Sequence, residues 1–179
     1  MAILIETDFN HERFWLACTS LRMARVCAED AYKHAITRET FGQKLIDNQV
    51  IRQKISLFGR EIDSAYAFME QIVYISMKEV ETKGGEASKH QSYVGGLTAN
   101  LKVLAARTLE IVNRESQQIM GGLGYQRSGR GARIEQISRD TRVMVVGGGS
   151  EEILVDLAAR EEMKAMSKLS TPKAITSKL

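Results

Sequence analysis

The chain places its single proline at Pro172, seven residues from the end, so nearly the whole sequence lacks the residue that most effectively breaks a helix. A sandwich or barrel of many short strands would normally use more prolines in its turns, so the scarcity favours long helices. A length of 179 residues suits one domain or at most two very small ones. With 44% apolar residues, a core can form.

Apolar spacing agrees. Phe14, Ala17, Leu21, Ala24, Ala28, Ala31 and Ala35 recur in steps of three and four, the signature of one helix face, and their small size predicts close helix approach. Asp8 or Asn10 is the expected cap, and the helix is expected to end near the Arg38–Gly42 segment. A second stripe (Ile51, Ile55, Phe58, Ile62, Ala65, Met69, Ile72, Ile75) predicts a long helix ending at Gly84-Gly85. Val94, Leu97, Leu101, Leu104, Thr108 and Ile111 form a third. A shorter helix is expected from Ser150, with Glu151 and Glu152 in its positively polarised first turn and Ile153, Leu157 and Ala158 inward.

Glycines crowd between the third and fourth stripes: Gly121, Gly122, Gly124, Gly129, Gly131, then Gly147-Gly148-Gly149. They read as loops around one short helix near 133–138. From Ser167 onward the sequence is Ser-, Thr- and Lys-rich and reads as a flexible tail. The expectation is therefore an all-α antiparallel four-helix bundle over residues 1–166, followed by a tail over 167–179.

Other classes fall away. A net charge of +3 is too small to argue for nucleic acid, and no apolar run approaches the roughly 18 residues of a membrane span. Cys18 and Cys27 read as small core residues in a reducing compartment, with no signal peptide before them. His11, His34 and His90 have no metal-ligand spacing. The segment 118–125 follows a predicted helix rather than a strand, so it fails as a dinucleotide fingerprint. Gly147-Gly148-Gly149-Ser150 before a helix offers unpaired N–H groups to an anion or carbonyl oxygen, although glycine loops before helices usually only make the turn.

Three segments in order carry more than any one alone. Arg38-Glu39-Thr40-Phe41-Gly42-Gln43, Gln118-Ile119-Met120-Gly121-Gly122-Leu123-Gly124-Tyr125, and Arg139-Asp140 followed by Gly147-Gly148-Gly149-Ser150-Glu151-Glu152-Ile153 together strongly resemble the C-terminal helical domain of the acyl-CoA dehydrogenases, over roughly residues 8 to 165. The resemblance implies FAD-dependent α,β-dehydrogenation of an acyl-CoA thioester. In that chemistry a carboxylate removes the α-proton, the β-hydrogen leaves as hydride to the flavin, and hydrogen bonds polarise the thioester carbonyl.

In most family members the base is a glutamate in the loop that opens the last helix, where this chain has Gly148. Isovaleryl-CoA-type enzymes carry it on the first helix of the domain instead, directly before an arginine. Asn10-His11-Glu12-Arg13 stands at that place, so the resemblance assigns the base to Glu12, with Arg13 beside the acyl-CoA and Asn10 near its pantetheine. Gly148 and Gly149 would form the substrate loop, Gly148 offering its N–H to the thioester oxygen. On pattern alone, Glu12 is a solvated first-turn residue favoured by the helix dipole.

The positions implied for FAD are Arg38, Phe41, Gln49, Gln118, Gly121, Gly122, Ser150 and Glu152. In the family, Arg38 and the glutamine-glycine segment reach a neighbouring subunit's cofactor, which implies a homodimer or homotetramer. Ser150 replaces the usual threonine and keeps a hydroxyl, and Arg139-Asp140 is expected to form an internal ion pair that shapes its loop. The electron acceptor would be an electron-transfer flavoprotein or, for an acyl-CoA oxidase, oxygen. Family members carry a helical domain and a β-domain before this bundle, and Met1–Thr7 is expected to hold neither. A truncated, catalytically inactive oligomerisation module is therefore a further expectation. The terminal Ser177-Lys178-Leu179 matches the peroxisomal import tripeptide, which implies an import receptor and a peroxisomal location.

Overall fold

The structure, a computed structural model, describes residues 2–82 and 91–170, with side chains described for 10–78 and 94–167. Its elements are helix α1 (Ala2–Thr37), strands β1 (Glu39–Thr40) and β2 (Gln43–Lys44), then helices α2 (Gln49–Thr82), α3 (Gln91–Met120), α4 (Ala132–Val146) and α5 (Glu151–Ser170). Single 3-10 turns lie at Leu45–Asp47, Gly121–Tyr125 and Gly129–Gly131. The all-α reading holds.

Helix directions follow from the contacts. A Cβ on Gly95 would lie 3.0 Å from Asn10 Nδ2, and Asn113 Nδ2 lies 3.4 Å from Cys27 Sγ, so α1 and α3 run side by side in the same direction. Cys18 beside Met69 and Lys54 beside Glu115 set α2 antiparallel to both. Arg133 on Asp30 and Glu151 on Arg107 run α4 against α1 and α5 against α3. The α1–α3 pair is the spine. Ala17, Ala24, Ala31 and Ala35 on one helix and Ala99, Ala105 and Ala106 on the other are all buried, and small side chains let the two backbones approach. Leu21, Leu101, Leu109, Ile134 and Leu154 close the core, each contributing about 1.5–3 kcal/mol on burial.

Three boundaries differ from the sequence reading. Helix α1 begins at Ala2 rather than at Asp8 or Asn10, because no glycine or proline interrupts the residues before them. Asn10 sits inside the helix and accepts a hydrogen bond from Arg13 Nη1 at 3.1 Å. The expected short helix is the 15-residue α4, and α5 runs through Ser170, past the start expected for the tail. Gly84-Gly85 and residues 171–179 lie outside the described residues.

Close backbone approach explains two of the dense glycines, Gly124 and Gly131. A Cβ on Gly131 would stand 1.9 Å from Leu123 O, so the chain between α3 and α4 folds back on itself where only glycine fits. Asn113 Nδ2 donates to Ile134 O at 2.9 Å and ties the start of α4 to α3.

Candidate functional site

Helix α4 ends as Gly147 N–H donates back to Val143 O at 2.9 Å. Gly148 and Gly149 then take φ of +67° and +118°, a territory that L side chains rarely enter, and α5 begins. The turn is pressed onto α1: a Cβ at Gly148 would meet Leu16 Cδ1 at 3.0 Å and Arg13 Cγ at 3.3 Å.

Two cations hold the turn, one from each of the adjacent helices α1 and α3. Arg13 Nε donates to Gly148 O at 3.0 Å. Lys102 Nζ, on α3, donates to Gly149 O at 2.9 Å and also to Val145 O. In a trans peptide, N–H and C=O point opposite ways. Fixing those carbonyls toward α1 and α3 therefore turns the N–H groups of Gly149 and Ser150 away from them. The N–H groups of Gly148, Gly149 and Ser150 find no acceptor among the described residues. The result is a row of donors at the positive end of α5, suited to an oxygen that carries or develops negative charge.

Lys102 is only 1% exposed. Burial pushes its ammonium below the usual lysine range, an effect that the carboxylate of Glu151 partly opposes. Glu151 in turn accepts a hydrogen bond from Arg107, which holds its carboxyl below the usual range. Asn10 and Arg13 are half-buried on the same stretch of α1, while Glu12 between them is exposed to solvent.

A second group of residues gathers at the far end of the bundle. Ala35, Ile51, Ile119 and Met120 share one core cluster, so the ends of α1 and α3 and the start of α2 meet there. Glu39–Thr40 and Gln43–Lys44 pair antiparallel, Thr40 opposite Gln43. Their two-residue turn, Phe41-Gly42, has φ of +51° and +79°, as a tight hairpin of right-twisted strands requires. Phe41 is fully exposed at its tip. Arg38, Gln49, Gln118, Gly121 and Gly122 are also exposed, with no atom within 4 Å of where a Cβ on Gly121 or Gly122 would lie. Twenty-five residues at 1.5 Å each put Arg13 and Arg38 about 37 Å apart along α1.

Residues 1–163 match the family described as "Acyl-CoA dehydrogenase, C-terminal domain". The chain belongs to the acyl-CoA dehydrogenase family. It is 46% identical over 165 residues to Acyl-CoA dehydrogenase AFT10-1 of Alternaria alternata, covering 92% of this chain and 37% of that protein. Acyl-CoA dehydrogenase apdG of Emericella nidulans is 34% identical, with 90% and 35% covered. Among solved structures, a probable acyl-CoA dehydrogenase from Mycobacterium abscessus superposes with a TM-score of 0.74 at 28% identity, over 89% of this chain and 39% of that one. The chain thus spans little more than a third of the curated relatives' length.

Within this family domain, the sequence expectations fall into two sets. Asn10, Arg13, Gly148 and Gly149 come together at the glycine turn, with Ser150 and Glu152 opening the adjoining helix and Glu12 beside Arg13 in sequence. Arg38, Phe41, Gln49, Gln118, Gly121 and Gly122 lie at the other end. Arg139 and Asp140 do not pair to shape a loop. Both sit on α4, where adjacent residues point about 100° apart, and Arg139 Nε instead meets Glu135 Oε1 at 3.0 Å, one turn back. Sequence reasoning missed Lys102 altogether. It also missed a cleft lined by Asp30, Lys33, His34, Thr37, Gly129, Arg130 and Arg133 beside the Arg38 end, where the buried His34 Nδ1 has no hydrogen-bond partner. Among the described residues, no group of three or more His, Cys, Asp or Glu is placed to hold a metal, and no helix is long and apolar enough to cross a membrane.

Proposed function

We propose that the chain is the C-terminal part of an FAD-dependent acyl-CoA dehydrogenase that removes the α-proton of an acyl-CoA thioester with Glu12. The observation that carries this reading is the Arg13–Gly148 hydrogen bond, which joins the Glu12-Arg13 segment to the glycine turn opening α5. Position 148 holds the base in most of the family. Here its Cβ would meet Leu16 and Arg13, and φ is left-handed, so the turn favours glycine and the carboxylate comes from α1.

In this arrangement the N–H row of Gly148, Gly149 and Ser150 receives the thioester oxygen and stabilises the enolate that forms as Glu12 takes the α-proton. Arg13 stays on the Gly148 carbonyl and, with Asn10, lines the approach of the thioester arm.

The residues present fit a flavin dinucleotide. Arg38 offers a planar exposed guanidinium suited to a diphosphate, Phe41 an open aromatic face, and Gly121 and Gly122 uncovered backbone. Gln49 and Gln118 would add amide donors at that end, with Ser150 and Glu152 at the other. FAD, when bound, would supply the acceptor for the β-hydrogen as hydride. A separation of about 37 Å exceeds the reach of one dinucleotide, so the two ends would serve cofactors in different copies of a homodimer or homotetramer. Exposed Trp15, Tyr74, Met77, Ile153 and Met163 give the bundle apolar surface for such contacts. Electrons would pass to an electron-transfer flavoprotein or to oxygen, and the terminal tripeptide would direct the protein to peroxisomes through its import receptor.

Flavin content and substrate α-proton exchange test the reading together. Yellow protein bleached by an acyl-CoA, with exchange lost in Glu12→Gln, is the expected result. A colourless helical oligomer that binds neither FAD nor acyl-CoA would instead support a non-catalytic module. Hydrogen peroxide release on turnover would assign an oxidase.

A further inference from the structure

The glycine turn contains no side chain that could stiffen it, yet its two left-handed residues must keep one conformation if its N–H groups are to face one point. Gly147–Gly149 is also a segment with very large backbone freedom in isolation. What restrains it comes from elsewhere. From α3, Lys102 reaches both flanks of the turn, the Val145 carbonyl at the end of α4 and the Gly149 carbonyl just before α5. Burying an ammonium is unfavourable unless its donors are satisfied, and here backbone oxygens of the turn provide the satisfaction. The ion is committed to this loop: Glu151, the nearest acid influencing it, is engaged by Arg107. The third carbonyl, that of Gly148, is taken by Arg13 from α1.

We propose that Lys102 is a positioning residue for the thioester-binding turn: by tying the Val145 carbonyl to the Gly149 carbonyl, it fixes the direction of the Gly148–Ser150 N–H row. It touches no substrate. The inference rests on the function proposed above, but its structural half can be tested without it.

The test uses Lys102→Met, which keeps the apolar stem and removes the ammonium, and Lys102→Gln, whose shorter amide can still donate to one carbonyl. Two readouts are taken on the purified chain. The first is the set of backbone amide resonances and 15N order parameters of Gly148, Gly149 and Ser150 in ligand-free protein. Both variants should retain wild-type helicity, while these three amides shift and their order parameters fall from the rigid range to below about 0.6 in Lys102→Met and less so in Lys102→Gln. The second is substrate α-proton exchange per bound flavin, where the loss in Lys102→Met should be roughly 10²-fold, the size of losing one oxyanion donor, with acyl-CoA affinity changed less than threefold. Unchanged amides overturn the clamp. Shifted amides with full exchange per flavin overturn the positioning role and leave only a structural one. Wild-type protein without any α-proton exchange overturns the proposed function, while the amide readout still decides whether Lys102 sets the turn. If Lys102→Met does not fold, Lys102→Gln carries both measurements.

Discussion

Replacing Gly148 by alanine tests the geometry on which the site depends. The new Cβ enters a left-handed backbone at φ +67°, a conformation that costs an L residue about 1–2 kcal/mol. It also lands 3.0 Å from Leu16 Cδ1 and 3.3 Å from Arg13 Cγ, closer than ordinary contact. Leu16 is itself buried, so its displacement strains the core by a further ~1–2 kcal/mol. The expected loss is about 2–4 kcal/mol, which in a protein of this size lowers the melting temperature by roughly 5–15 °C. Gly122→Ala is the control, since no atom lies within 4 Å of its Cβ position and its φ is not left-handed. That variant should stay within about 0.5 kcal/mol of wild type. The measurements are thermal unfolding followed by circular dichroism at 222 nm and urea midpoints at fixed protein concentration. If Gly148→Ala proves as harmless as Gly122→Ala, the turn is not pressed on α1 and the argument for a base on that helix loses its basis.

Two further expectations concern pH and location. His34 is buried with Nδ1 unpartnered, and burial first, then Arg38 and Arg130, hold its pKa below the ordinary 6.5. The unfolded chain therefore binds the proton more readily than the folded one. Stability should be complete above about pH 6.5 and fall as pH drops below it; a urea midpoint that is flat from pH 7.5 to 5, or an unchanged slope in His34→Gln, would contradict this. For the C-terminus, a fluorescent protein fused ahead of the chain should give a punctate peroxisomal pattern in eukaryotic cells. Deleting Ser177-Lys178-Leu179 should make the signal diffuse, and puncta that persist would refute the targeting assignment.

How much of this was readable from the sequence depended on what each residue's neighbours were. The long helices were legible because Ala17, Leu21, Ala24 and Ala31, or Ile51, Phe58, Ile62 and Ala65, repeat at helical spacing and are all buried. Helix α4 was underestimated because Thr141 occupies one place in its inward row of Ile134, Ile137, Thr141 and Met144, and glycines flank it on both sides. The Glu12-Arg13 segment and Gly148 were picked out through the family resemblance and not by local pattern, and α1 does carry Arg13 to the turn. Lys102 gave no such signal. A lysine next to Leu101 reads as solvated, and only the fold reveals that its partners are carbonyls 43 and 47 residues away. Arg139 and Asp140 failed for the opposite reason: adjacency in sequence suggested a pair that helical geometry separates.

Phe41 remains. Its ring stands in water at the tip of a two-residue turn, in a backbone conformation that a bulky residue seldom adopts, held there by the β1–β2 pairing and by Leu45 N–H on the Arg38 carbonyl at 2.8 Å. The unfavourable torsion and the loss of chain freedom are incurred when the domain folds, before anything docks. Whatever meets that ring finds a rigid aromatic face already oriented, so association there immobilises little further and gains the full benefit of covering it.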